Sequence, residues 1–117
     1  MSRVCVFCGS QPGSDRRFVE AAAELGTGLA LAGHMLVYGG SKSGCMGALA
    51  DAALANRGRV LGVIPRVLHV TELRHDALTE TVIVEDLAAR KLEMFRRSET
   101  VLVMPGGTGT LDELLEA

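Results

Sequence analysis

Aromatic side chains are nearly absent. The chain has no tryptophan, one tyrosine and three phenylalanines among 117 residues. Its core must therefore be built from Val, Leu, Ala, Met and Ile, which the 48% hydrophobic content supplies in quantity. Positive charge is not in excess either. The formal net charge is −2, which argues against a broad basic surface for duplex nucleic acid but leaves room for a small anion held by one or two local cations. No apolar run approaches the roughly 18 residues that a membrane span needs. Met1-Ser2-Arg3 leads straight into a strand-like segment with no secretory signal pattern, so a cytoplasmic protein is expected. The three cysteines, Cys5, Cys8 and Cys45, make neither a zinc set nor a redox pair. Cys5 and Cys8 lie in an apolar run, where strand positions three apart face opposite ways, and no second Cys or His pair completes a site. No repeat or low-complexity segment is present.

Glycine, by contrast, is plentiful, at 14 residues, and it punctuates an alternating pattern. Val4 to Cys8, Met35 to Tyr38, Val60 to Ile64, Thr81 to Val84 and Thr100 to Met104 read as short buried strands. Between the first two, Phe18, Ala21, Ala22, Leu25, Leu29 and Ala32 recur at helical spacing. Ser14 or Asp15 is placed to cap that helix, and Gly33 to end it. Met46, Leu49, Ala50, Ala53 and Leu54 mark a second helix, and residues 86–97 a third. The stretch from Arg66 to Glu80 has weak periodicity and reads as a loop with a short helical piece. A last helix opens at Thr110. Strands alternating with helices predict one domain over residues 1–117, an α/β Rossmann-like, doubly wound parallel sheet. The chain stops inside the last helical pattern at Leu114-Leu115-Glu116-Ala117 with no stop signal, so the fold is expected to be C-terminally incomplete.

Ligands of such sheets sit beyond the carboxyl ends of the strands. Gly9, Gly39-Gly40 and Gly106-Gly107 fall at three of those ends. Pro105-Gly106-Gly107-Thr108-Gly109-Thr110 follows a strand and precedes a helix, where unpaired N–H groups and the helix dipole favour an anion. It is either a phosphate loop or an ordinary glycine-rich turn capped by Thr110. Gly39 to Gly44 has Walker-like spacing, but Cys45 stands where the lysine belongs, which argues against triphosphate chemistry. The dinucleotide fingerprint fails as well, because no third glycine follows Gly109. Glu113 is either the far half of a Thr110 capping box or a carboxylate beside the sugar of a bound nucleotide. At about 100° per residue, Leu87, Ala88, Leu92, Met94 and Phe95 share an apolar arc on the third helix, with Lys91 near its middle and Arg90 at its edge. Lys91 there needs either an anionic partner or a route to solvent. Neither His34, His69 nor His75 has ligand spacing, and loop or surface positions are expected for all three. No metal site is readable.

Taken in order, Cys5-Val-Phe-Cys-Gly-Ser10, Leu36-Val-Tyr-Gly-Gly40, Gly44-Cys-Met-Gly47, Gly62-Val-Ile-Pro65, Arg90-Lys91-x-x-Met94 and Pro105-Gly-Gly-Thr-Gly-Thr-Leu-Asp-Glu113 resemble the Lonely Guy family across nearly the whole chain. That family's members are cytokinin riboside 5′-monophosphate phosphoribohydrolases, many first labelled possible lysine decarboxylases. The resemblance implies a cytoplasmic homodimer that needs no cofactor and hydrolyses the N-glycosidic bond of an adenine-type nucleoside 5′-monophosphate. It implies Arg90 and Glu113 as the catalytic pair. Gly9, Ser10, Gly40, Lys91, Met94, Gly106, Gly107, Thr108, Gly109 and Thr110 would bind the phosphate and nucleotide. The chain departs from the family pattern at Leu87-Ala88-Ala89, where Met-His-Glu is common, at Ser41 for a third glycine, and at Thr108 for a frequent tyrosine. Two alternatives belong to other classes. One is a non-catalytic nucleotide-binding module of the same fold group, resembling molybdenum-cofactor carriers. The other is a pyridoxal-phosphate lysine decarboxylase, for which Lys42 and Lys91 are the available Schiff-base lysines.

Overall fold

Residues 2–9 and 15–104 are described by the computed structural model. All five expected strands begin and end within one residue of the apolar runs that announced them. The first, β1 (Arg3–Phe7), is buried from Val4 onward. β2 (Met35–Tyr38) and β3 (Val60–Pro65) are buried throughout, as continuous Val/Leu/Ile runs should be when both faces of a parallel strand are covered. β4 (Glu80–Val84) and β5 (Thr100–Val103) are more exposed. Pro65 closes β3 from inside the strand, paired with Val84 of β4.

Local chemistry sets the helix ends. Asp15 caps α1 (Arg16–Leu31), its carboxylate accepting from the Arg17 amide at 2.8 Å. Gly33, at φ +79°, ends it: the His34 amide donates to Leu29 O and the Gly33 amide to Ala30 O, the paired bonds of a left-handed glycine cap. The second helix, α2, runs Gly44–Ala55. α3 (Leu87–Arg96) is capped by Asp86, which accepts from the Ala89 amide at 2.8 Å. A single 3-10 turn, Arg66–Leu68, is the short helical piece in the β3–β4 connection.

All pairings are parallel and the strand order is β4-β3-β2-β1-β5. The chain steps outward from β1 to β4, then returns to place β5 on the other side of β1. Val4, Val6, Leu36, Tyr38 and Val60 face one way and pack with α1 and α2 residues such as Ala22, Leu29, Leu49 and Ala53. Cys5, Phe7, Val37, Leu61 and Val63 face the other way, against Met94 of α3. The sheet is thus covered on both faces, as the doubly wound reading requires. Cys5 and Cys8 fall on opposite sides of it, and all three cysteines are buried. With so few rings, aromatic contact is confined to one edge-on pair, Phe7 and Phe95, with centroids 5.6 Å apart.

The surface of α3 is not the one that hydropathy predicts. Its sheet-facing side consists of Arg90, Lys91 and Met94. Leu87 is 56% exposed and Leu92 72%, and Ala88 is exposed too. Of the expected arc, Met94 and Phe95 do pack into the core, and Lys91, expected near its middle, is buried. Leu87, Ala88 and Leu92 are exposed, so the buried face is turned toward Arg90 by about a fifth of a turn at roughly 100° per residue. The physical reason lies at the sheet's carboxyl end, where carbonyl oxygens await a cation, as described below.

Small residues let α1 and α2 come close. A Cβ on Gly26 would lie 2.2 Å from Leu49 O, a backbone atom that cannot swing aside, whereas a Cβ on Gly28 of the same helix would meet nothing within 4 Å. Chemical denaturation should separate the two. Gly26→Ala should destabilise by about 1–3 kcal/mol through overpacking, and Gly28→Ala should stabilise by roughly 0.5–1 kcal/mol through helix propensity. Equal effects would contradict the close helix crossing.

Candidate active site at the carboxyl edge of the sheet

The order β2-β1-β5 makes a topological switch at β1, since the chain leaves β1 toward β2 while β5 lies on its other side. Crevices at such switch points are where open α/β sheets bind ligands. β1 ends at Phe7, Cys8 and Gly9, and Gly9 O accepts the Met46 amide at 2.9 Å, tying the start of α2 to this edge. The Met104 amide donates to Phe7 O at 2.9 Å, so the β1–β5 pairing persists to the residue before Pro105. Ser10, the loop Gly106, Gly107, Thr108, Gly109 and Thr110, and Glu113 lie outside the described residues.

Arg90 supplies the charge. It is 6% exposed. Its Nε donates to Val63 O at 3.2 Å and one terminal nitrogen donates to Gly39 O at 3.0 Å. These carbonyls belong to β3 and to the residue just beyond β2, so the guanidinium spans the carboxyl ends of two neighbouring strands. An arginine stays charged at any relevant pH, and burying it is tolerable only with such acceptors. Glycine at 39 lets the guanidinium and the Met46 thioether come close to the backbone. A Cβ there would stand 3.4 Å from Arg90 Cζ and 2.9 Å from Met46 Cε. Lys91, beside it, is 7% exposed. Met94, one turn further on, packs in the apolar cluster with Cys5, Phe7, Val37 and Val63. The structure therefore brings Gly9, Gly40, Arg90 and Lys91 to α3 and the sheet's carboxyl edge, and sets Met94 beneath them in the core.

The turn after β2 is held from several directions. Gly40 adopts φ +84°. The Tyr38 hydroxyl donates to Ser41 O at 2.9 Å, and the Ser43 amide donates to Ser41 Oγ at 3.1 Å. Burial, reinforced by the Asp51 carboxylate and the Cys8 sulfur, pushes the Tyr38 hydroxyl well above its usual range, so it remains a neutral donor. From the β3–β4 connection, the His75 amide donates to Gly40 O at 2.9 Å and Leu73 O accepts the Lys42 amide at 3.0 Å. Lys42 Nζ donates to Thr71 O at 2.7 Å, and Ser41 and Arg74 form an antiparallel bridge.

His75 lies in a loop, as expected, but its side chain is largely covered. Its ring is 9% exposed, and Nε2 lies 2.6 Å from Oδ1 of Asp51 on α2. Asp51 and His75 are 24 positions apart with no motif linking them, so no pattern in the sequence could have paired them. His34 and His69 do lie in loops. Among the described residues no group of three His, Cys, Asp or Glu could hold a metal ion, and no helix is long and apolar enough to cross a membrane.

A five-stranded parallel sheet with helices on both faces and a cation at its carboxyl edge defines a Rossmann-like α/β protein. Solved structures agree on that fold. A molybdenum cofactor binding protein from the phototrophic bacterium Rippkaea orientalis superposes with a TM-score of 0.83 at 23% identity, covering 97% of this chain and 68% of that one. The X-ray structure of TM1055, a structural-genomics target, superposes with 0.81 at 26% identity, covering 98% and 67%. A family model described as "Possible lysine decarboxylase" matches residues 46–117, and the chain belongs to that family, the one its ordered motifs indicated. It is 46% identical over 114 residues to a probable cytokinin riboside 5′-monophosphate phosphoribohydrolase of Oryza sativa subsp. japonica, covering 97% of this chain and 51% of the relative. A cytokinin riboside 5′-monophosphate phosphoribohydrolase of Arabidopsis thaliana is 43% identical over 114 residues, with 97% and 54% covered. The chain thus spans about half the length of the curated relatives it matches.

Arg90→Lys tests the carbonyl bridge directly. An ammonium is a point donor and cannot reproduce the planar fork across two strands. The variant should lose about 1–3 kcal/mol of stability in urea, the cost of a buried acceptor losing a charged donor. Unchanged stability would show that Gly39 O and Val63 O do not depend on the guanidinium.

Proposed function

We propose that the protein hydrolyses the N-glycosidic bond of an adenine-type (cytokinin) nucleoside 5′-monophosphate, releasing free base and ribose 5-phosphate, as a cytoplasmic enzyme without a cofactor. The observation that carries this reading is the buried Arg90 guanidinium at the carboxyl edge of the sheet. It lies at the ends of β3 and β2, and β2 is the strand next to β1, where the sheet order switches. The activity named for the relatives supports it.

The chemistry suits these residues. Departure of the base leaves positive charge on the ribose, which a carboxylate can stabilise while it directs water, as in glycoside hydrolysis. Glu113 is assigned that role. The Gly106–Thr110 loop is assigned the phosphate, through N–H groups at a helix start. Gly9, Ser10, Gly40 and Lys91 line the nucleotide site in this reading, and Met94 supports it from below. Arg90, anchored to two strands, either orients Glu113 or contacts the ligand. Lysine decarboxylation gains no support from the described geometry, since Lys42 Nζ is turned to the Thr71 carbonyl.

Free base released from AMP and from adenosine is the deciding measurement. AMP should be hydrolysed and adenosine left nearly untouched. Glu113→Gln should lower turnover by about a hundredfold or more with little change in stability, because glutamine still completes a capping box. Comparable rates on AMP and adenosine would defeat the phosphate assignment. Binding of AMP without base release by the wild type would identify a non-catalytic nucleotide-binding module instead.

The same reading includes a homodimer with α3 near the interface. Leu87 and Leu92 project from α3 largely uncovered, and full burial of each would contribute roughly 1.5–3 kcal/mol. Light scattering should give a dimer that Leu92→Arg shifts toward monomer. A wild-type monomer at all concentrations would remove α3 from any self-association.

A further inference from the structure

The hydrolytic reading gives no role to His75 or Asp51, yet the two join the β3–β4 connection to α2. The Ala77 amide donates to His75 Nδ1 at 3.1 Å. Nδ1 is therefore the acceptor of the ring, which leaves Nε2 to carry the hydrogen and donate to Asp51 Oδ1 at 2.6 Å. Both ring nitrogens are committed, and the ring is sealed at 9% exposure while Asp51 remains 69% exposed on α2. The backbone of the same residue donates to Gly40 O. His75 thus clamps the β3–β4 connection to α2 with its ring and to the turn after β2 with its amide.

That turn leads directly to the cation. Gly39, next to Gly40, offers the carbonyl that holds Arg90 at 3.0 Å. The contacts run in a chain, Asp51 to His75, His75 to Gly40, and Gly39 to Arg90. Tyr38 lies alongside, its hydroxyl feeling the Asp51 charge and donating to Ser41 O. Val63 O of β3 accepts from Nε, and Gly39 O holds one terminal nitrogen of the guanidinium, so a moved Gly39 moves a point at which the guanidinium is fixed.

We propose that His75 and Asp51 are a positioning pair, which holds the Gly39–Ser43 turn and through it sets the Arg90 guanidinium for the reaction proposed above. Neither residue touches substrate in this account. Displacement of reacting groups by about 1 Å can cost on the order of a hundredfold in rate, so a loosened turn should register in turnover before it registers in binding.

Two substitutions at 75 separate the ring's contacts. In His75→Gln the side-chain amide reaches as far as Nε2 and can donate to Asp51. In His75→Asn the short amide oxygen can still accept the Ala77 amide in an Asx turn, but nothing reaches Asp51. Asp51→Ala, at an exposed helix position, removes the partner without entering the core. In the full chain with AMP as substrate, His75→Asn and Asp51→Ala should each lower kcat about tenfold or more while KM stays within about threefold. His75→Gln should recover most of the loss. The Nε–H resonance of Arg90 should shift in the two impaired variants and return in His75→Gln, a readout that needs no catalysis. Unchanged kcat and an unmoved Arg90 resonance in folded Asp51→Ala would overturn the proposal. So would equal impairment in His75→Gln and His75→Asn, or a fall in melting temperature alone. A wild type that releases no base would defeat the hydrolytic reading, and the Arg90 resonance would still decide whether the pair positions that residue.

Discussion

A permanently charged side chain lies almost completely buried between α3 and the sheet, and much of the structure follows from how it is accommodated. Water is a far better solvent for a guanidinium than a protein interior, so Arg90 needs fixed dipoles in its place. Parallel strands end in carbonyls that point beyond the sheet, and here two of them, Val63 O and Gly39 O, meet one guanidinium. This arrangement requires that α3 turn Arg90 inward, and the next inward position, Met94, is apolar and seals the cluster. The outward exposure of Leu92 is the consequence, since at about 100° per residue it lies nearly opposite Arg90 on the helix, while Leu87 is exposed at the helix's first position.

The remainder of the fold is stabilised by close approach of small groups more than by large ones. Gly26 against the Leu49 carbonyl and Gly58 against Ala30 and Ala53 show why a core with so few rings suffices. Helices that approach this closely bring Ala22, Ala50 and Ala53 to full burial, and dispersion between many short side chains replaces the area that aromatics would contribute.

The architecture was legible because it rests on signals that hydropathy carries. Each buried strand is an apolar run, and the ends of β1 and β2 at the carboxyl edge are marked by glycine, at Gly9 and Gly39-Gly40. Strand order was not written in any run, for it depends on which side of β1 the last strand takes. The inward side of α3 was misread for a related reason. Hydropathy ranks Leu92 above Arg90, but it cannot see that carbonyls from β2 and β3 converge where Arg90 lies. Resemblance singled out Arg90 all the same, since the ordered motifs mark the residue and need no account of its burial. Asp51 and His75 escaped both routes. A histidine in a weakly periodic loop looks like any other, and its partner sits on a helix whose alanines dominate the pattern.

One feature of the candidate site becomes intelligible only when both faces of the sheet are considered together. α2 and α3 pack on opposite sides and share few direct contacts through β2 and β3. They are nevertheless joined at the turn after β2, which accepts from Arg90 on one side at Gly39 and from the clamped His75 segment on the other at Gly40. Two adjacent carbonyls therefore report to two different layers. A shift of either helix along the sheet must be absorbed at Gly39-Gly40, where side chains are absent and one residue is already at φ +84°. A glycine pair left unsupported would be the softest point of the edge. Supported by Arg90, Tyr38 and His75, it is instead the point where the two layers fix one another. A guanidinium anchored there has a defined position at the carboxyl ends of β2 and β3, fixed from both layers at once.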